Sequence, residues 1–214
     1  MTRVIMVRHG ESKANRDRKF AGCGSDVPLM ERGLQQAERM AAYVAEHYAV
    51  ANVYTSHLQR AYITGKCVAD KFGLEVQILD DLREIYGGYW EDCPFEEMGT
   101  RYPEEHRHWT TDQENARCPG GESLKELKER VTGAIERIGR ENPGKTVLLV
   151  SHATPIHVLY ALAAKGSLDN MNSLSLAPNA ALTIVDYADG NLRLVADCID
   201  SYLGELKTEL PRNV

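Results

Sequence analysis

Arg8 and His9 stand side by side before Gly10 in the stretch Met6-Val7-Arg8-His9-Gly10-Glu11-Ser12. Two cationic-capable groups in succession repel when both are charged, so their pairing after an apolar run asks for a chemical reason. A second arginine, Arg60, lies just after "TSHLQ", and a second histidine, His152, just after "LLVS". Arg8 and Arg60 carry planar guanidinium forks that match phosphate oxygens. Their field disfavours imidazolium and leaves more of His9 as the neutral nucleophile. A histidine nucleophile in a fixed cationic cradle suits phosphoryl transfer through a phosphohistidine. Removing one well-placed donor from such a cradle commonly costs about 10²–10³ in rate. Gly10 would let the backbone come close to the phosphate.

These residues act together only if the fold gathers them. Arg3 to Val7, Asn52 to Ser56, Val76 to Leu79 and Thr146 to Val150 read as short buried strands. Between them, Leu34, Ala37, Ala41 and Val44 recur at helical spacing, and a helix from about Gln59 carries Ile63, Val68 and Phe72 on one side. Ser123-Leu124-Lys125-Glu126 is a capping-box pattern opening a helix that Asn142-Pro143-Gly144 stops. Thr154-Pro155 predicts an N-cap followed by proline at the first helical position. Leu182 to Tyr187 and Leu192 to Val195 flank Asp189-Gly190, a hairpin signal. This alternation predicts a three-layer α/β/α fold with a mostly parallel central sheet. Three strands run into Arg8-His9, Ser56-His57 and Ser151-His152, and in a parallel sheet their carboxyl ends share one edge, where open α/β folds bind ligands. His9, His152 and Arg60 are therefore expected to meet.

The 214 residues suit a single domain, 1–214, in which 85–121 reads as a helical and loop insertion over the carboxyl edge of the strands. A formal net charge of -6, without a basic run, argues against a nucleic-acid partner. No apolar run approaches the ~20 residues needed to span a bilayer, and the first strand leaves no room for a signal peptide. Five scattered cysteines without CxxC spacing suggest reduced thiols rather than disulfides or zinc. The expectation is a cytoplasmic protein without a membrane partner. His152 and His157 are five apart and have no evident third ligand, so no metal is expected, and His57 and His157 read as structural or rim residues. Tyr86, Tyr89, Trp90 and Trp109 read equally well as pocket lining or as a local core.

The motifs "RHGES" followed by Asn15, "SHLQRA" at 56–61, "LREIYGGYWE" at 82–91, "PGGES" at 119–123 and "SHATP" at 151–155 resemble the histidine phosphatase superfamily, in its phosphoglycerate mutase-like branch. They occur in the family's order and cover nearly the whole chain. The resemblance implies His9 as nucleophile, with Arg8, Arg60 and His152 holding the phosphoryl group and Asn15 contacting the same phosphate. It singles out Glu84 as proton donor to the leaving alcohol, ahead of Glu11, Glu91 and Glu122. The other large branch carries its acid in a His-Asp pair, and here Ala153 follows His152.

The function expected is a phosphatase that hydrolyses a small phosphomonoester through a phosphohistidine, needing neither metal nor cofactor. The alternative is a bisphosphoglycerate-dependent phosphoglycerate mutase using the same residues. Mutases of that kind resemble longer chains with more phosphate-binding groups after the acid, whereas Ile85-Tyr86-Gly87-Gly88 follow Glu84 here. A non-catalytic phospho-ligand sensor is disfavoured by the full set of nucleophile, cradle and acid. The expected partner is a small phosphorylated metabolite, chosen by the 85–121 region, and oligomeric state stays open, a homodimer included.

Overall fold

The computed structural model describes residues 1–169 and 171–209. In chain order it runs β1 (Thr2–Arg8), α1 (Lys13–Arg16), α2 (Glu31–His47), β2 (Val50–Thr55), α3 (Gln59–Phe72) and β3 (Val76–Ile78). The short helices α4 (Phe95–Arg101) and α5 (Pro103–Thr111) follow, then α6 (Leu124–Glu141), β4 (Thr146–Ser151), α7 (Ala153–Lys165), β5 (Leu182–Ala188) and β6 (Asn191–Ile199). The six strands form one sheet in the order β3-β2-β4-β1-β5-β6. β1, β2, β3 and β4 pair in parallel, and the hairpin β5–β6 joins antiparallel on β1.

Alternation along the strands builds the three layers. Val4 and Met6 of β1, with Val147 and Leu149 of β4, pack in one cluster with Leu127, Val131 and Ile135 of α6 and Ile156 and Leu159 of α7. Ile5, Val7, Leu148 and Val150 point the other way, against Met40, Ala41 and Val44 of α2 and Ala61 and Val68 of α3. β1 and β4 are covered on both faces, which is why these two strands read as unbroken apolar runs. The capping box at Ser123 is present: Ser123 Oγ accepts from Glu126 N–H, and the Glu126 carboxylate accepts from Ser123 N–H.

One local expectation changes and another gains a reason. Thr154 is not the N-cap of α7: the strand delivers the chain directly to His152, which takes the N-cap position without a side-chain capping bond, and Pro155 sits in the first turn. First-turn N–H groups have no intrahelical acceptor, so proline is tolerated there beyond the first position. Gly10 answers to a second constraint besides the one expected. A Cβ on it would stand 2.3 Å from the Gly33 carbonyl oxygen, and one on Gly33 would stand 2.1 Å from that of Glu11. The constraint is a close main-chain crossing with the start of α2.

Candidate active site

β2, β4 and β1 are adjacent in the sheet, so their carboxyl ends bring Ser56, His152 and His9 together. The His9 and His152 ring centroids lie 5.1 Å apart. His9 Nδ1 is 2.7 Å from the Gly10 carbonyl oxygen. An N–H donated there leaves the Nε2 lone pair free. Burial, and after it the charges of Arg60 and Arg8, push His9 well below the usual imidazole range, against the Gly10 carbonyl. The arginines' influence on His9 expected from sequence is present, second to burial. His152 is lowered in the same direction, first by burial and next by Arg60.

The guanidinium groups are held by main-chain oxygens. Arg8 Nη1 donates to Ala177 O at 2.9 Å, and Arg60 donates to Ser25 O at 2.9 Å and Gly22 O at 2.7 Å. Burial brings Arg8 down to about 10, with Glu84 opposing and Arg60 assisting, so it stays charged at neutral pH. Arg8 Nε, Arg60 Nε and His152 Nδ1 are buried and have no hydrogen-bond partner. His152 Nε2 is 2.7 Å from the Ser56 hydroxyl, and with that hydroxyl donating, Nδ1 carries the ring proton. Three buried polar nitrogens without partners around one histidine are costly in an empty site and suited to an anion.

Asn15 half-faces the same cavity, which is also lined by Arg8, His9, Arg60 and Glu84. Its Oδ1 accepts from Ser12 N–H at 3.0 Å, the Ser12 hydroxyl at 2.9 Å and Asn179 Nδ2 at 3.1 Å. That leaves the amide nitrogen as the end able to donate to a ligand. Glu84 is 8% exposed. Its carboxylate accepts from Ile85 N–H at 2.9 Å and from Thr154 N–H, in the first turn of α7, at 3.4 Å. All six residues singled out in the sequence lie in this region. His152 alone is completely buried behind the cavity wall.

Sequence reasoning missed the supports. Asn179, 1% exposed, donates to His9 O at 2.9 Å as well as to Asn15. Its only signal was a Pro-Asn turn. Ser56 carried no assigned role. Arg130 of α6 forms a two-pronged pair with Glu122, at 2.7 and 2.9 Å. The same guanidinium donates to the carbonyls of Asp81, Arg83 and Glu84. Glu122 in turn accepts from Tyr86 N–H. This clasp presents Glu84 to the site.

The aromatics of the 85–121 stretch divide. Trp109 of α5 and Phe95 of α4 line the cavity with Phe20. Trp90 is wholly buried beneath them, and Tyr86 and Tyr89 are exposed. His57 lies outside the site, paired with Asp80 at 2.7 Å. His157, by contrast, is buried and lines the cavity.

A protein of Mycobacterium tuberculosis described as bifunctional is 39% identical over 197 residues, covering 91% of this chain and 53% of that one. The chain thus spans about half the length of that relative. Phosphoserine phosphatase 1 of Hydrogenobacter thermophilus is 32% identical over 210 residues, 98% of each chain. The solved structure of Bacillus stearothermophilus YhfR superposes with a TM-score of 0.87 at 28% identity, covering 95% of this chain and 100% of that one. The family model of the histidine phosphatase superfamily, branch 1, matches residues 4–199. On that match and on these relatives, the chain belongs to the histidine phosphatase superfamily.

Proposed function

We propose that the protein is a phosphatase that hydrolyses a small phosphomonoester through a phosphohistidine on His9, without a metal or other cofactor. His9 Nε2 attacks phosphorus, and the bond from phosphorus to the alcohol oxygen breaks. Glu84 gives its proton to the leaving oxygen. A water then loses a proton to the Glu84 carboxylate and attacks phosphorus, and the bond to Nε2 breaks, releasing phosphate. Arg8, Arg60, His152 and Asn15 bind the phosphoryl oxygens throughout, with charge stabilisation greatest as the group transfers. The observation that carries this reading is the set of partnerless nitrogens, Arg8 Nε, Arg60 Nε and His152 Nδ1, gathered around a buried neutral imidazole.

Hydrolysis is favoured over a mutase reaction because no lysine or further arginine joins Arg8 and Arg60 among the described residues lining the cavity. The name of the full-length relative, a phosphoserine phosphatase, points the same way.

The test is brief incubation with a ³²P-labelled phosphomonoester, acid-free quenching and gel analysis. The wild-type protein should carry an acid-labile, alkali-stable label that persists after EDTA treatment. His9→Ala should show no label and turnover reduced by at least about 10³. A label retained in His9→Ala would overturn the assignment, and one lost on chelation would overturn the metal-free mechanism.

A further inference from the structure

The cavity runs from Arg8 and Arg60 past Phe20 and Trp109 to Leu176, a lining wider than one phosphoryl group touches. Away from the arginines its wall is mainly Phe20, Phe95, Trp109, Met171 and Leu176, with Thr154, His157, Asn172 and Thr208 among them. The charges offered to a ligand there are unfavourable to a second anion. Among the described lining residues the cations are Arg8 and Arg60, both committed to the phosphoryl end, and the other acidic or basic side chains apart from the histidines are the acids Glu84 and Glu209. An anionic alcohol would lose its hydration against aromatic rings without gaining a counter-ion, which is strongly disfavoured.

Few polar groups are left to read the alcohol. Asn172 lines the wall, but its amide nitrogen donates to Trp109 O at 2.9 Å and so holds α5 in place. His157 is different. It is 7% exposed and lines the cavity from α7, while its Nε2 atom is itself buried without a hydrogen-bond partner in range. The carbonyls of Met171 and Leu174 act on the same ring and favour an N–H turned towards them. The other ring nitrogen then keeps its lone pair. Burial lowers His157 below the usual imidazole range, so the ring is a neutral acceptor at pH 7.

We propose that the alcohol half of the substrate is a non-anionic, largely apolar body carrying one hydroxyl or amine donor, and that His157 is the specificity-determining residue that accepts from it. The proposal rests on the phosphatase reading above and adds the substrate class. It also gives the 85–121 stretch a part in specificity, since Phe95 and Trp109 supply the apolar wall.

The test compares kcat/KM for 2-phenylethyl phosphate, its 3- and 4-hydroxyphenyl analogues, 3-phosphoglycerate and p-nitrophenyl phosphate. In the wild-type protein 2-phenylethyl phosphate should exceed 3-phosphoglycerate by at least about tenfold, and one hydroxylated analogue should exceed its parent by a further factor of about ten. His157→Leu should bring that hydroxyl preference to one or below, and His157→Gln, which keeps an acceptor, should restore part of it. Equal or better use of 3-phosphoglycerate would overturn the substrate class. An absent hydroxyl preference, or one unchanged in His157→Leu, would overturn the role of His157. The wild-type comparison needs no variant, so it decides the class even if His157→Leu does not fold. Turnover of p-nitrophenyl phosphate separates the two readings: if it persists while the preferences fail, only this proposal falls, and if wild-type protein hydrolyses none of the five, both fall.

Discussion

At the scale of single residues, the cradle and the acid differ in how they can be tested. Glu84 is held by two main-chain N–H groups at the cavity wall, one from Ile85 and one from the first turn of α7. Its proposed work, protonating the leaving oxygen, matters in proportion to how poor the leaving group is. Glu84→Gln should therefore slow turnover of an alkyl phosphate about 10²–10³-fold and that of p-nitrophenyl phosphate about tenfold or less. Equal losses on both substrates would point to a different acid. Arg8, His9, Arg60 and His152 were legible from sequence because strand ends in a parallel sheet must converge, whatever the distance between them along the chain. Ser56 and Asn179 were not. Ser56 acts through a hydroxyl that any strand end could carry, and Asn179 reaches His9 through a main-chain carbonyl, for which no residue type gives a signal.

At the scale of elements, α6 does more than cover the sheet. Its apolar face packs into the core, while Arg130 reaches sideways to clasp Glu122 and the carbonyls of Asp81, Arg83 and Glu84. Arg130→Ala leaves Glu122 largely buried without its partner and should cost about 3 kcal/mol or more of stability, read by urea unfolding. Arg130→Lys keeps the charge and loses the fork. If the clasp positions Glu84, this variant should slow alkyl phosphates more than p-nitrophenyl phosphate, the same pattern as Glu84→Gln. A purely structural role would slow both alike. The long helices were legible because one apolar face repeats over several turns, as in α2, α3 and α6. α4 and α5 were not, since seven and nine residues around a Phe20-Trp90-Trp109 cluster give aromatic packing rather than periodicity.

At the scale of the whole molecule, neutral histidines kept from water tie stability to pH. His9 and His152 are held well below 6.5 and His157 is lowered too, burial leading in each case. As pH falls through 6.5 the unfolded chain takes up these protons and the native state does not, so stability drops on the acid side of neutrality. Between pH 7 and 5 His9 and His152 should each contribute at most roughly 2 kcal/mol to the loss. Urea midpoints measured across that range should fall steadily, and His9→Asn should shallow the slope by about one proton. A flat profile in the wild-type protein would contradict the buried neutral state. Across the chain, the arginines proposed to meet the phosphate are anchored by the carbonyls of Gly22 and Ser25 in one loop and of Ala177 in another. Every amino acid brings the same carbonyl. Alanine-scanning mutagenesis deletes side chains one by one, so it would pass over these anchors without registering them. A map of tolerated substitutions would then understate how much of the catalytic apparatus is written in the peptide backbone.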